Sequence, residues 1–164
     1  MRIKAMITWE MVLHAWQKES NNCPRPNSDV WGILPGQGKD VAWFQCNLES
    51  TDQDSLFVIG SGDWKEVFGS YRASAVATSL SDVDDKHRHS SRIHGIAKRM
   101  KDGHRFYPPA LVASSATGPF VAIDGNHRII ASIKAGIFDG LDVHVGFHLA
   151  IATEFVWYRQ AINA

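Results

Sequence analysis

The chain has only two cysteines in 164 residues, Cys23 and Cys46, and they form neither a C-x-x-C pair nor any other metal-ligand spacing. A disulfide framework is therefore not expected, and a reducing, cytoplasmic setting is. No run approaches the roughly 18 uninterrupted apolar residues of a membrane span. The start carries Arg2 and Lys4 with no long apolar stretch behind them, so a signal peptide is not expected either. Net charge is missing too: Lys plus Arg and Asp plus Glu number 17 each. A neutral chain is a poor bulk binder of nucleic acid or of an anionic membrane. Pro35-Gly36-Gln37-Gly38-Lys39 contains Gly-x-Gly-Lys but lacks the full G-x-x-x-x-G-K-[ST] phosphate loop, so it reads as a turn. There is no internal repeat, no low-complexity tract and no obvious linker.

What is present is an ordinary globular composition. At 45 % hydrophobic residues the chain can build one domain with its own core. Trp9, Val12, Leu13 and Trp16 fall at i, i+3, i+4 and i+7 behind Thr8, which predicts an amphipathic helix over Thr8–Lys18. Ser20–Ser28 reads as a polar connection and Val30–Leu34 as a short strand. Val41–Leu48 and Leu56–Ile59 read as strands, paired as a hairpin across Glu49–Ser55. Ser61-Gly62 ends the second strand. Asp63 with Glu66 has the spacing of a capping box, opening a helix that carries Trp64, Val67, Phe68, Tyr71 and Ala75. Ser81–Ser90 is a polar loop whose His87-x-His89 beside Asp84 and Asp85 matches no standard metal motif. A helix capped by Ser90 or Ser91 then runs to Gly103, and Leu111–Ser114 is a strand.

Pro119–Gly136, PFVAIDGNHRIIASIKAG, is the most informative stretch. Phe120–Ile123 reads as a buried strand, Asp124-Gly125-Asn126 as a tight turn, and Ile129, Ile130 and Ile133 as one helix face stopping at Gly136. A helix starting at a glycine turn presents unpaired N–H groups and partial positive charge to an anion. His127 and Arg128 stand there. Downstream, Leu141–Leu149 alternates, which predicts a strand with Val143 and Val145 inward and His144 and His148 on the solvent face. Thr153 starts a last helix with Phe155 and Tyr158 packed back. Strands alternate with helices, so the class is α/β (α+β) with a mixed sheet, residues 1–80 forming an extension packed on a core of residues 81–164.

Asp124-Gly125-Asn126-His127-Arg128 resembles the signature box of the ParB/sulfiredoxin-like superfamily. Against the partitioning form G-E-R-R-x-x-A, Gly125, Arg128 and Ala131 match, while Asn126 replaces the Glu and His127 the first Arg. Against the sulfiredoxin form G-G-C-H-R, Gly125, His127 and Arg128 match, but Asn126 stands where the catalytic Cys belongs, so the sulfiredoxin reaction is not expected. Against the free-serine kinase form D-G-H-T-R-A, Asp124, Gly125 and Arg128 match. Upstream, Arg92–Gly103, Pro108-Pro109 and Leu111–Ser114 precede the box in the family's order, and the resemblance covers roughly Ser81–Ala161.

The resemblance implies a nucleotide-binding protein, an ATP- or CTP-dependent phosphotransferase or hydrolase. Gly125, Asn126, His127 and Arg128 would hold phosphates, and Asp124 would orient the turn or help hold the Mg²⁺ that accompanies the nucleotide. A catalytic acid would come from Glu66, Asp82, Asp84 or Asp85, with Asp124 and His127 beside the phosphate. Two alternatives stay open. One is a DNA-binding protein or nuclease using the basic segment Lys86–Arg105, above all Arg92, Lys98 and Arg99. The other is a non-catalytic nucleotide- or protein-binding regulator of the phage or mobile-element type. A homodimer is compatible with any of these.

Overall fold

A computed structural model describes residues 1–20, 32, 34–60 and 63–163. The strand expected over Val30–Leu34, the connection Ser20–Ser28, Cys23 and the break at Ser61-Gly62 lie wholly or mainly outside the described residues. The class is α/β as expected. One six-stranded mixed sheet is built from β1 (Arg2–Ile7), β2 (Ala42–Asn47), β3 (Leu56–Phe57), β4 (Ala110–Ala113), β5 (Phe120–Asp124) and β6 (Asp142–Phe147), in the order β1-β2-β6-β4-β5-β3. The pairs β1/β2, β2/β6 and β4/β5 are antiparallel, and β4/β6 and β3/β5 are parallel. Strands from residues 1–80 thus flank both sides of a centre made by the rest of the chain.

The helices are α1 (Trp9–Ser20), α2 (Trp64–Phe68), α3 (Ala73–Ser79), α4 (Arg88–Lys101), α5 (Asn126–Ala135), α6 (Ile151–Glu154) and α7 (Val156–Ile162). Periodicity explains their docking. Val12 and Trp16 on α1 are buried, and Trp9 stacks on Trp43 of β2 with ring centroids 5.5 Å apart. Ile93 and Ala97 of α4 and Ile129 and Ile130 of α5 enter the core. Tyr158 of α7 is fully buried and donates its hydroxyl to the Pro119 carbonyl at 2.8 Å, below the start of β5. Gly60 makes room for this last helix: a Cβ there would lie 2.3 Å from the Trp157 carbonyl oxygen. Among the described residues no helix is long and apolar enough to cross a membrane.

Several local expectations are corrected. β3 does not form a hairpin with β2; it pairs in parallel with β5 through Leu56 opposite Phe120, at the far edge of the sheet. The helix after Asp63 is two helices, because Gly69 takes a left-handed conformation (φ 72°) and closes α2 before α3 begins. Neither Ser90 nor Ser91 caps α4. His87 does, its Nδ1 accepting from the His89 N–H. The final helical segment is split at Phe155 and begins before Thr153. His144 is buried rather than on a solvent face, because β6 is an interior strand with Val143–Gly146 buried throughout.

Candidate active site

The box forms as its residue types dictate. Apolar β5 ends at Asp124, Gly125 turns the chain with φ 77°, and α5 starts at Asn126. Only glycine fits: its φ is left-handed, and a Cβ would sit 2.7 Å from the Pro109 Cβ and 2.9 Å from Arg128 Nη2. The Ile129 N–H bonds the Gly125 carbonyl at 3.0 Å. The N–H groups of Asn126, His127 and Arg128 precede the intrahelical ladder.

The three side chains at this start take three different directions. Asn126 Oδ1 accepts the Ile59 backbone N–H at 2.8 Å, tying α5 to the segment leaving β3. Arg128 turns inward. Its side chain is 5 % exposed, Nη2 lies 2.5 Å from Asp124 Oδ2, and Nη1 donates to the Tyr107 carbonyl at 2.5 Å. The guanidinium is thereby committed to the fold, and Asp124 Oδ2 is taken up by this pair. Arg128 also lines a cleft of about 370 Å³ with Met100, Tyr107, Pro109 and Ile137.

His127 is the third, and it ends a relay. Its Nε2 is 2.7 Å from His89 Nδ1, and His89 Nε2 is 2.7 Å from Asp63 Oδ1. Arg88 Nη2 donates to the same carboxylate oxygen at 2.9 Å. Trp64 stacks on His89 at 4.3 Å between centroids and leans on His127 at 5.0 Å. The directions follow from charge. The hydrogen bond from His89, with help from Arg88, holds the Asp63 carboxyl down at about 2, so it is ionised and can only accept. His89 therefore carries its proton on Nε2. Burial, assisted by the positive field of Arg92 and other nearby cations, pushes His127 down to about 3, so it is neutral. In the tautomer in which His89 Nδ1 accepts, the His127 Nε2–H donates to it across 2.7 Å. The lone pair on His127 Nδ1 is left without a hydrogen-bond partner among the described residues.

Asp63 is thus not the helix cap its spacing with Glu66 suggests: it makes no side-chain capping bond, and its carboxylate goes to His89 and Arg88. Glu66 is exposed on α2, and Asp82, Asp84 and Asp85 are exposed beyond α3. Asp84 accepts the Lys86 N–H at 2.8 Å and Asp85 lies 3.4 Å from His94. Among the described residues none of these four acids bonds to the box. Arg92, Lys98 and Arg99 are exposed along α4, with Arg99 over the Phe106 ring at 4.8 Å. No three His, Cys, Asp or Glu side chains among the described residues are grouped to hold a metal. His144 is buried with Nδ1 unpartnered, and burial lowers its pKa.

The sequence singles out His127 but does not join Asp63, His89 and Trp64 to it. They lie 38 residues or more before it in the chain, so no local pattern joins them. No family model, curated protein or solved structure shows a significant match to this chain.

Proposed function

We propose that the protein is a nucleotide-binding phosphotransferase or hydrolase of the ParB/sulfiredoxin-like kind, working at the start of α5 with His127 as its reacting side chain. The observation that carries this reading is the Asp63–His89–His127 relay ending at a helix N-terminus. A helix start offers N–H donors and positive potential to a phosphate. The relay offers a neutral imidazole whose far nitrogen is held and whose near nitrogen is available. Phosphoryl transfer asks for positioning, charge neutralisation and a group that handles a proton or the phosphoryl itself. The backbone of Gly125–Arg128 serves the first need, Arg88 and Arg92 the second, and His127 the third. Mg²⁺ would arrive with the nucleotide as part of the substrate.

Calorimetric titration of ATP, CTP, GTP and ADP, with and without Mg²⁺, tests the reading. Parent protein is expected to bind one of them, and His127→Gln to bind it at least tenfold more weakly or to bind it without turnover. If parent protein binds none of the four, the nucleotide reading is overturned.

A further inference from the structure

The relay supports more than acid–base chemistry, because the nitrogen it leaves available is a nucleophile. We propose that His127 is a covalent phosphoryl acceptor, taking the phosphoryl group on Nδ1 as a phosphohistidine intermediate. The inference deepens the phosphate-handling reading above and is independent of which nucleotide is the donor.

Three observations carry it. First, the two ring nitrogens are differentiated. Nε2 is occupied at 2.7 Å by His89, and Nδ1 has no hydrogen-bond partner among the described residues. Second, the ring is fixed. Trp64 leans on it at 5.0 Å between centroids and His89 holds its Nε2, so two neighbouring side chains set its orientation. Third, the surrounding charge suits a phosphorylated ring better than a protonated one. After burial, Arg92, His89, Arg88 and Arg128 all disfavour a proton on His127. The same positive field favours a dianionic phosphoryl group. A histidine that stays neutral keeps its lone pair for attack.

The step balances. The Nδ1 lone pair attacks the terminal phosphorus, an N–P bond forms, and the P–O bond to the leaving group breaks with its electron pair on that oxygen. The ring gains positive charge and passes its Nε2 proton to His89 Nδ1. The resulting His89 imidazolium is held by the Asp63 carboxylate. In the second half an acceptor oxygen, of water or an alcohol, attacks phosphorus and releases its proton to solvent. The N–P electron pair returns to Nδ1, and His89 returns its proton to Nε2, so imidazole leaves neutral. Asp63 and His89 are positioning residues in this scheme, and His127 alone touches phosphorus.

The test uses two donors on the full chain: γ-³²P-ATP with Mg²⁺, and phosphoramidate, a small donor that needs no nucleotide site. Intact mass, peptide mapping and ³¹P NMR read the product. The expected result is one acid-labile, alkali-stable phosphate on His127, as the Nδ1 isomer, formed with phosphoramidate faster on the folded protein than in urea. His127→Gln, checked by circular dichroism for a native fold, is expected to lose this phosphate. His89→Gln is expected to keep the site but slow its labelling tenfold or more. Label on His127 from phosphoramidate but not from ATP supports the acceptor and removes the nucleotide as donor. Nucleotide binding by calorimetry with no His127 label from either donor overturns the acceptor and leaves the nucleotide reading standing. Label only on other histidines, only as the Nε2 isomer, or equal in native and urea-unfolded protein, overturns it as well.

Discussion

The Ile59 N–H donates to Asn126 Oδ1 across 2.8 Å, so the first residue of the α5 helix holds the backbone that leads to Asp63. In this chain Asn126 is a tether between two parts of the site. Asn126→Ala leaves a partly buried N–H without its acceptor, which costs about 1–2 kcal/mol. Asn126→Asp keeps an acceptor and is expected to cost less. Urea denaturation of the two variants, with the slope of the transition unchanged, measures the difference.

Arg128 belongs to the same turn but has a separate task. Removing it strands the Asp124 carboxylate and the Tyr107 carbonyl together. Arg128→Ala is expected to destabilise the fold by about 3 kcal/mol or more, as when one partner of a buried pair is deleted. Arg128→Lys restores the charge but not the fork that reaches both acceptors, and is expected to recover less than half of the loss. A full recovery by lysine in chemical denaturation would show that charge alone matters here.

Gly125→Ala attacks the turn through its backbone. The left-handed φ of 77° costs an alanine about 1–2 kcal/mol. The added methyl also meets Pro109 and Arg128 at under 3 Å, so the loss in thermal and denaturant stability is expected to exceed the backbone cost alone. Gly136→Ala is the comparison: its φ is also left-handed, at 72°, but nothing lies within 4 Å of an added Cβ. It is expected to show the backbone cost only.

Acid should weaken the protein from two groups in turn. His127 is held down to about 3 by burial, so between its ordinary value near 6.5 and that value the unfolded chain binds a proton and the folded chain does not. Stability therefore falls as pH drops through that window, by up to about 1.4 kcal/mol per pH unit. Asp63, held at about 2 first by the hydrogen bond from His89, gives stability that is present above pH 3.8 and is lost on further acidification toward 2. His127→Gln is expected to flatten the upper window and leave the lower one. Denaturation midpoints from pH 8 down to pH 4 read the upper window, and points between pH 4 and about 2 read the lower one.

Much of this fold is written locally. The turn at Gly125, the α5 face of Ile129 and Ile130, the α1 stripe and the β5 core run all follow from residue type and spacing. What the local pattern misses is pairing over distance. β3 reads as the return strand of a hairpin because Glu49–Ser55 is a polar connection of suitable length. In the structure its partner is β5, and the 3-10 turn Ser50–Ser55 carries the chain to the opposite edge of the sheet. His144 reads as a surface position because it alternates with Val143 and Val145, and alternation does not reveal that an interior strand is covered on both faces. The site divides the same way. His127 is visible in the box, whereas Asp63 mimics a capping residue and His89 mimics part of a polar loop. Each acquires its partner only when α2, α4 and α5 come together.

The short edge strand gives this relay a dynamic consequence. β3 is two residues long, lies at the margin of the sheet, and is followed closely by Asp63, the anionic end of the relay. Marginal strands open more often than interior ones without unfolding the whole molecule. An opening that extended from this edge to Asp63 would part the carboxylate from His89. Hydrogen exchange should record it: the Val58 and Ile59 amides exchange sooner than Val143 and Val145, and occupancy of the start of α5 slows them. A ligand at the start of α5 would act as a clasp on that edge through Asn126 and Ile59.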